Sequence, residues 1–441
     1  MIGGAVAVAV AVLAQAQIAP LGADVAGALR DRAVGIRGAV FVVGRRVGDA
    51  IRFDVVGDPS VRAGGDTPFE IGSITKTVTG ALLADAIRRG EVRADEPIGD
   101  LFPAGVRAPS HDGKPITFAD IGTQRSGLPV LPTNMTGTPL DPYADYDDAK
   151  LYAFLGGYAL ARDPGARYEY SNLGFGLLGE LLAARAKIPY PVLAQQRLFA
   201  PLGLRATTAA NDDAGLPEGH DADGELAPHW HFRALAGAGS VRSTARDMLS
   251  YAAASFDGAA PSDARNDILE AQRPRADVPA IEDGARIGFA WMTMRDGVVW
   301  HNGATAGFRS YLGVLPHDRR AVVIVTNTTI DVDDVGRHLL DAAIPIVKTD
   351  VPVPVDAAVL ARYVGRYQLA PGALVDIGRD DRGLTAQVTG QARHRIYASS
   401  PTRFFWRVVP ASIDFAVDPS GHVTGASLHQ GGRDYPLTLV P

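Results

Sequence analysis

The stretch Phe69-Glu70-Ile71-Gly72-Ser73-Ile74-Thr75-Lys76 places a serine three residues before a lysine. The 441-residue chain has sixteen serines and only five lysines, so about 0.2 pairs with this spacing are expected by chance. Three residues apart on a helix, the two side chains share one face. A desolvated lysine can lose its proton, whereas arginine cannot, so the pair predicts a serine nucleophile with a lysine base. Taken alone, the motif is equally compatible with a chance pair on a solvated helix.

The flanking residues predict that Ser73 begins this helix. Phe69–Gly72 has the composition of a short strand, residues 74–89 carry apolar side chains at helical spacing, and Gly90 ends the pattern. The free amides and the dipole at a helix start favour negative charge developing near Ser73. If this face is buried, desolvation lowers the pKa of Lys76 towards that of a usable base.

A second candidate motif is Tyr170-Ser171-Asn172, which precedes an apolar run expected to be helical over Gly174–Lys187. A phenol near an ammonium group can ionise and shuttle a proton. The amide of Asn172 offers a substrate both a donor and an acceptor. By itself the Y-x-N pattern is a weak signal.

A third motif is His301-Asn302-Gly303-Ala304 on a strand-like run. Gly303 allows the backbone to approach a ligand closely, and the Ala304 amide could complete an oxyanion hole with the Ser73 amide. A lone histidine in a glycine-rich turn is more often just a turn residue.

In this order the three motifs resemble those of the serine β-lactamase and penicillin-binding protein superfamily. The resemblance is greatest to class C β-lactamases, to the D-alanyl-D-alanine carboxypeptidases and D-aminopeptidases of that branch, and to β-lactamase-like esterases. It extends over about residues 35–345 and includes Arg125-Ser126-Gly127-Leu128-Pro129, Ala238-Gly239-Ser240 and residues 301–316. Two departures are His301 in the place where many β-lactamases have lysine, and Tyr-Ser-Asn in place of the Ser-Asp-Asn of class A. A lysine at this position is a permanent cation that would bind a substrate carboxylate. Because this chain has histidine there, the prediction of efficient β-lactam hydrolysis is weaker.

The resemblance implies an α/β (α+β) fold, with an antiparallel sheet flanked by helices and a helical subdomain, over residues 17–345. The proline-rich segment 346–356 reads as a linker. Beyond it, short alternating segments with turn signals in residues 357–441 predict a small antiparallel barrel or sandwich. Stretches such as Tyr363-Val364-Gly365-Arg366-Tyr367 resemble the lipocalin-like barrel that some family members carry.

The resemblance also implies roles for the motif residues. Ser73 attacks a carbonyl while Lys76 and Tyr170 share the general-base work, and the oxyanion lies between the amides of Ser73 and Ala304. Substrate binding is expected from Asn172, His301, Gly303 and Ala304, with His301 supporting the Tyr170 hydroxyl or the polar end of the substrate. The expected reaction is cleavage of a β-lactam, D-amino-acid peptide or ester through an acyl-enzyme. Carboxylesterase activity and a non-turnover penicillin-binding sensor remain alternatives.

The remaining pattern predicts further elements. They are a hairpin over Ala39–Val56, a long surface loop or lid over 129–149, a helix beginning at Ser243-Thr244 with Thr244 and Asp247 at capping-box spacing, adjacent antiparallel strands over Val298–Leu315 and Arg320–Thr326, and a helix over 331–345.

Composition restricts the partners and the compartment. The net charge of −6 argues against nucleic acid, and the absence of cysteine excludes disulfides and thiolate chemistry. Residues 1–16 resemble a secretory signal ending in Ala14-Gln15-Ala16, although its positively charged start is missing, so a periplasmic or secreted protein is expected. His229-Trp230-His231 has no acidic set to complete a metal site, and no cofactor motif is present, so neither is expected. The expected partner is a small-molecule or peptide substrate, without a stable membrane span, and the C-terminal barrel could mediate homo-oligomers.

Overall fold

The computed structural model describes residues 18–138 and 140–440. The predicted signal peptide, residues 1–16, lies outside these described residues. The α-helices are α1 Ala23–Ala33, α2 Thr75–Arg88, α3 Phe118–Gly122, α4 Asp148–Gly157, α5 Asn172–Ala186, α6 Tyr190–Ala194, α7 Ala236–Gly239, α8 Ala245–Ala253, α9 Asp263–Gln272, α10 Asp333–Leu340 and α11 Ala357–Leu360. Shorter 3-10 turns cover Gly72–Ile74, Ile98–Leu101 and Ala361–Tyr363, and a π-helical turn covers Gln195–Phe199.

The strands fall into one large sheet, one barrel and three small pairs. They are β1 Val40–Val47, β2 Ala50–Gly57, β3 Pro68–Glu70, β4 Ser110–His111, β5 Lys114–Pro115, β6 Gly219–His220, β7 Leu226–Ala227, β8 Arg242–Thr244, β9 Ala276–Asp277, β10 Arg286–Ile287, β11 Met292–Thr293, β12 Val299–Ala304, β13 Arg309–Leu315, β14 Arg320–Thr326, β15 Gly365–Ala370, β16 Ala373–Asp380, β17 Gly383–Val388, β18 Arg393–Ala398, β19 Arg403–Phe405, β20 Ala411–Val417, β21 Val423–Gln430 and β22 Arg433–Val440.

The large sheet is antiparallel, in the order β2-β1-β14-β13-β12-β11-β10-β9, and its central strands β1, β14 and β13 are buried on both faces. Because side chains alternate along a strand, successive residues of β1 enter two different cores. Val40 and Val42 pack in the core that contains α2 and α8, and Phe41 and Val43 pack in the one that contains α1 and α10. The continuous apolar run of β1 therefore reflects a sheet between two helical layers.

Helix α2 lies in the centre of the larger core and contacts α5, α7 and α9. Every residue from Thr75 to Ala86 is buried, including the polar ones. Buried hydroxyls in this helix are hydrogen-bonded, as burial requires: Thr79 Oγ1 lies 2.7 Å from Tyr190 OH and 2.7 Å from the carbonyl oxygen of Gly237. Ser73 is thus placed at the start of a helix that the rest of the domain surrounds.

The helix predictions agree closely with the structure. Helix α2 covers 75–88 against the predicted 74–89, and α5 covers 172–186 against 174–187. Helix α8 begins after Thr244, whose side chain accepts a hydrogen bond from the Asp247 amide at 3.1 Å. The predicted hairpin is β1 and β2.

Two element predictions were wrong in detail. Val298–Leu315 is two strands, β12 and β13, joined by a turn in which the Thr305 amide donates to the carbonyl of Phe308 at 3.0 Å. The helix predicted over 331–345 is only α10, Asp333–Leu340. Apolar residues flank the turn between β12 and β13 on both sides. The alternation of apolar and polar residues therefore did not show that the chain reverses direction there.

The C-terminal strands β15 to β22 form a closed antiparallel barrel, so the barrel rather than the sandwich is confirmed. Aromatic rings fill its core, with Tyr363 stacked on Phe415 at a centroid distance of 4.3 Å. Helix α11 and the turn Ala361–Tyr363 connect it to the preceding segment. Among the described residues, no helix is both long and apolar enough to cross a membrane.

Position 303 requires glycine because β12 packs there directly against the backbone of Ile71, two residues before Ser73. A Cβ on Gly303 would lie 1.9 Å from the carbonyl oxygen of Ile71, which also accepts a hydrogen bond from Ser310 Oγ at 2.8 Å. We predict that Gly303→Ala lowers the free energy of unfolding by at least about 1–3 kcal/mol, because overpacking forces the backbone apart. Gly64→Ala, whose Cβ would meet nothing within 4 Å, is the control and should change it by less than about 0.5 kcal/mol in urea denaturation. Equal effects of the two substitutions would contradict this explanation.

Candidate active site

Ser73, Lys76 and Tyr170 meet at the start of α2. Lys76 Nζ lies 2.9 Å from Ser73 Oγ, and the Tyr170 hydroxyl donates to the same oxygen at 2.6 Å. Lys76 Nζ also donates to the carbonyl oxygen of Ala238 at 2.8 Å and lies 4.8 Å from the centre of the Tyr170 ring. Ser73 Oγ is therefore held between an amine and a phenol, both within proton-transfer distance.

Burial determines which of these groups is charged. The Lys76 side chain is completely buried, and desolvation lowers its pKa well below the usual value for lysine. Desolvation raises the pKa of the Tyr170 phenol, so Tyr170 keeps its proton at neutral pH. These directions favour the amine as the proton acceptor and the phenol as the proton donor, and the expectation that Lys76 and Tyr170 share the role of base stays a prediction.

Ser171 positions the residues on either side of it. Its side chain accepts a hydrogen bond from the Gly174 amide at 2.8 Å and caps α5, and its own amide donates to Gln124 Oε1 at 2.8 Å. Tyr170 consequently lies just before the helix and Asn172 in its first turn. Asn172 Nδ2 donates to the Tyr143 hydroxyl at 3.2 Å, and its side chain lines the cavity.

Two glycines bring the Ser73 and Ala304 backbones together. Gly72 has a φ of 50°, and a Cβ there would lie 2.6 Å from the Ala304 amide nitrogen. Gly303 makes the matching approach to Ile71 from β12. The Ala304 amide nitrogen therefore lies close to the residue before Ser73, and the oxyanion hole expected between the amides of Ser73 and Ala304 stays a prediction.

His301 is buried beside Lys76. Its Nδ1 lies 2.6 Å from the Asn302 carbonyl oxygen, so this nitrogen carries the proton and donates it. Burial first, and then the positive charge of Lys76, lower the pKa of His301 to about 4, which leaves the imidazole neutral at pH 7. In the described part of the chain, no hydrogen bond joins His301 to Tyr170, and the cavity is lined instead by Asn302, Gly303 and Ala304.

The cavity in front of Ser73 has a volume of about 290 Å³. Its wall includes residues that the sequence did not single out, namely Tyr143, Trp230, Phe232, Asn302 and Arg309. Tyr143 comes from the predicted 129–149 loop and stacks on Phe232 with ring centroids 4.5 Å apart. Arg309 is the first residue of β13 and pairs with Ala304 of β12. The strand register therefore places a cation beside Ala304.

Asp333 connects two residues of this wall. Its carboxylate accepts a hydrogen bond from Asn302 Nδ2 and lies 3.4 Å from Arg309 Nη2, which also donates to Asp331 at 2.9 Å. Burial and the neighbouring charge of Asp331 raise the pKa of Asp333. One guanidinium nitrogen of Arg309 is thus occupied, while Nε is buried without a hydrogen-bond partner in the described residues.

The aromatic wall is held by a chain of charged side chains, of which Glu70 and Arg242 are buried. The Trp230 amide donates to Glu70 Oε1 at 2.8 Å, and Arg242 donates to the Trp230 carbonyl and to Asp213, both at 2.8 Å. His231 bridges Asp213 and Asp141 at 3.0 and 2.8 Å. The hydrogen bond to Asp141 is the largest cause of the raised pKa of His231, and Asp213 raises it further, so the two carboxylates favour the protonated form.

Family models agree with this architecture. A model described as Beta-lactamase matches residues 22–344, which is most of the chain. The chain belongs to the β-lactamase family. It is a serine hydrolase. A second model, described as Domain of unknown function (DUF3471), matches residues 349–438, which contain the barrel.

Several relatives of this β-lactamase family member are known. The D-alanyl-D-alanine-carboxypeptidase/endopeptidase AmpH of Escherichia coli (strain K12) is 28% identical over 286 residues, which cover 62% of this chain and 74% of AmpH. The crystal structure of a β-lactamase/D-alanine carboxypeptidase from Yersinia pestis is similar over 69% of this chain and 92% of its own, with 22% identity and a TM-score of 0.59. An octameric penicillin-binding protein homologue from Pyrococcus abyssi is similar over 92% of this chain and 98% of its own, with 17% identity and a TM-score of 0.60. The fold assignment is therefore confirmed.

The lowered pKa of Lys76 has a consequence for stability. Between the folded pKa of Lys76 and its unfolded value, the unfolded chain binds the extra proton, so the free energy of unfolding rises with pH in that window. Below the folded pKa the full cost of burying the charge is present. We predict that Lys76→Met, which keeps the side-chain volume, removes a slope of up to about 1.4 kcal/mol per pH unit and stabilises the protein most at low pH.

Urea denaturation from mildly acidic to alkaline pH measures this slope. Lys348→Met is the matched control, because Lys348 is exposed and has no ion pair in the described part of the chain. The account is contradicted if Lys76→Met and Lys348→Met change the pH dependence equally.

Proposed function

We propose that this serine hydrolase cleaves an amide bond of a β-lactam or a D-amino-acid peptide through an acyl-enzyme on Ser73. The observation that carries the proposal is the contact of Ser73 Oγ with both a buried amine and a protonated phenol, at 2.9 and 2.6 Å. One group is poised to remove the hydroxyl proton, and the other to supply a proton to a leaving group.

Acylation begins when neutral Lys76 accepts the proton of Ser73 and Oγ attacks the substrate carbonyl carbon. The negative charge on the carbonyl oxygen is stabilised by the amides of Ser73 and Ala304, which the two close glycine approaches hold in place. Tyr170 gives its proton to the leaving nitrogen as the amide bond breaks, and the Lys76 ammonium returns a proton to the phenolate. Asn172, in the first turn of α5, orients the substrate amide.

Deacylation uses the same groups in reverse. A water gives its proton to neutral Lys76 and attacks the acyl carbon, and Ser73 Oγ leaves and regains its proton. Because His301 is neutral and buried, it supplies no fixed charge to the substrate. In this proposal His301 fills the space beside Lys76 as a neutral side chain.

In this proposal Arg309, rather than the third motif, supplies the fixed positive charge in front of Ser73. The guanidinium is permanently charged and lines the cavity, and only one of its nitrogens is used by Asp331 and Asp333. The similarity to AmpH, named a D-alanyl-D-alanine carboxypeptidase/endopeptidase, supports a D-amino-acid peptide as the substrate. We also propose that the protein is exported to the periplasm or the medium and that it self-associates through the barrel.

A carboxylesterase is the second candidate. An ester releases its alcohol with less need for a proton donor than an amide has, and a simple ester has no carboxylate that requires a cation. A penicillin-binding sensor would acylate once and stay acylated. A panel of a chromogenic cephalosporin, a D-alanyl dipeptide and short p-nitrophenyl esters separates the three, since the esterase spares the first two and the sensor turns over none.

The nucleophile is tested by covalent labelling. A fluorescent penicillin or a fluorophosphonate should label the wild type, and Ser73→Ala should lose the label completely. Ser126→Ala is the matched control, since Ser126 in Arg125-Ser126-Gly127 is a buried serine whose Oγ accepts a hydrogen bond from the Leu128 amide. Undiminished labelling of Ser73→Ala would overturn the proposal.

Tyr170→Phe tests the proton donor. We expect kcat for a D-alanyl peptide to fall by about 10²–10⁴, the usual contribution of a general acid. Hydrolysis of a p-nitrophenyl ester should fall far less, because p-nitrophenolate leaves without a proton. Equal losses for the amide and the ester would show that Tyr170 acts otherwise.

The acid limb of the kcat/KM profile tests the base. Activity should fall as pH drops through the folded pKa of Lys76, because the protonated amine cannot accept the Ser73 proton. His301→Gln should leave this limb in place, since the pKa of His301 is lowered to about 4. If the limb disappears in His301→Gln, the titrating group is the imidazole and the assignment of Lys76 is wrong.

A further inference from the structure

A second and larger cavity adjoins the active site. It has a volume of about 900 Å³ and lies between the hydrolase domain, the linker and the barrel. Arg309 lines both this cleft and the cavity in front of Ser73. Ligand sites for drug-sized molecules occupy about 300–1,000 Å³, so the catalytic cavity lies at the lower end of that range and the cleft near the upper end.

The hydrolase wall of the cleft consists of paired charges. Arg309 contacts Asp331 and Asp333, and the Arg32 guanidinium forms a bidentate pair with Asp334 at 2.7 and 2.5 Å. Arg32 Nη2 also donates to the Val347 carbonyl of the linker at 3.0 Å. Positive charge on this wall is therefore largely compensated by its own carboxylates.

The barrel wall differs, because its arginines lack acidic partners. Arg433 has no ion pair in the described residues, and Arg407 has none either, with its Nη1 buried and without a hydrogen-bond partner. The carboxylate on this wall is that of Asp434, and its Oδ1 lies 2.6 Å from Nδ1 of His429. Arg433 is exposed, and the half-buried guanidinium of Arg407 lies 4.1 Å from the centre of the Tyr397 ring. The two arginines give this wall an excess of positive charge, which suits an anionic oxygen.

Hydrogen bonds between the barrel and the hydrolase domain fix the barrel wall of the cleft in place. Asp223, in the turn between β6 and β7, accepts from the Tyr397 hydroxyl at 3.0 Å, and Arg382 donates to the Asp223 carbonyl at 2.8 Å and to the Glu225 carboxylate. Arg407 also donates to the Val34 carbonyl. The turn is tied in its own domain by the His220 amide, which donates to the Asn327 carbonyl at 2.9 Å.

We propose that the interdomain cleft binds the acyl side of an extended peptide substrate that carries a carboxylate, with Arg407 and Arg433 of the barrel as its anion-binding groups. This rests on the proposed function: a carboxypeptidase releases one terminal residue, so the rest of the peptide lies on the acyl side of the scissile bond. The substrate passes Arg309 on its way from Ser73 into the cleft. The barrel then determines specificity, and the short cavity holds only the reacting end.

Binding to the Ser73→Ala protein tests this without requiring turnover. Three peptides share a C-terminal D-alanyl-D-alanine: a tripeptide, a hexapeptide with two glutamates in its N-terminal half, and the same hexapeptide with glutamines. We expect the glutamate hexapeptide to bind about five-fold tighter than the glutamine one at low salt, with the difference shrinking as salt is added.

Arg433→Glu should reduce that glutamate preference to about one or reverse it. Arg379→Glu is the matched control: it makes the same charge change on an exposed barrel arginine outside the cleft and should keep the preference. Thermal unfolding of both variants checks that the barrel is intact. A glutamate preference that Arg433→Glu and Arg379→Glu change equally, or no preference in Ser73→Ala, overturns the cleft proposal.

Turnover of the tripeptide by the wild type keeps the two proposals apart. Tripeptide hydrolysis with no glutamate preference leaves the hydrolase function standing and rejects the cleft. A glutamate preference abolished by Arg433→Glu supports the cleft as a peptide site, even if the tripeptide is not cleaved and the assigned reaction fails.

Discussion

The active site depends on the burial of one lysine without a counter-ion. Lys76 Nζ is completely buried and contacts Ser73 Oγ and the Ala238 carbonyl, and no carboxylate pairs with it in the described residues. A nearby aspartate would stabilise the ammonium and remove the base, whereas the apolar surroundings of α2 favour the neutral amine. The pKa of His301, lowered to about 4 chiefly by burial, follows the same rule, because a buried group without a counter-ion favours its neutral form.

The second constraint is the close approach of two backbones. Ile71-Gly72 and Gly303-Ala304 come from distant parts of the sequence, and only glycine allows the contacts at 1.9 and 2.6 Å that a Cβ would make. The large sheet fixes β12 through its neighbours, and the buried α2 fixes Ser73, so the Ser73 and Ala304 backbones are held close together without substrate. In the proposed mechanism this contact serves both stability and the oxyanion hole.

The sequence predicted the parts of the site that depend on local spacing, and missed those created by tertiary packing. Helix periodicity placed Ser73 and Lys76 on one face, and the structure has that helix within one residue at each end. The wall formed by Tyr143 and Trp230 arises where irregular segments meet, and no periodic pattern marks such residues. Arg309 stood inside a stretch already recognised, but its position depends on the pairing of β12 with β13, a turn that the alternation of apolar residues concealed.

The central claim, that Lys76 is uncharged in the resting enzyme, can be measured directly because the chain has only five lysines. Lysine labelled with ¹³C at the ε-carbon gives one resonance per residue, and Lys76→Met assigns the signal of interest. The account predicts that this resonance titrates well below the other four. Titration of all the lysine signals together, near the ordinary value of about 10.4, would contradict it.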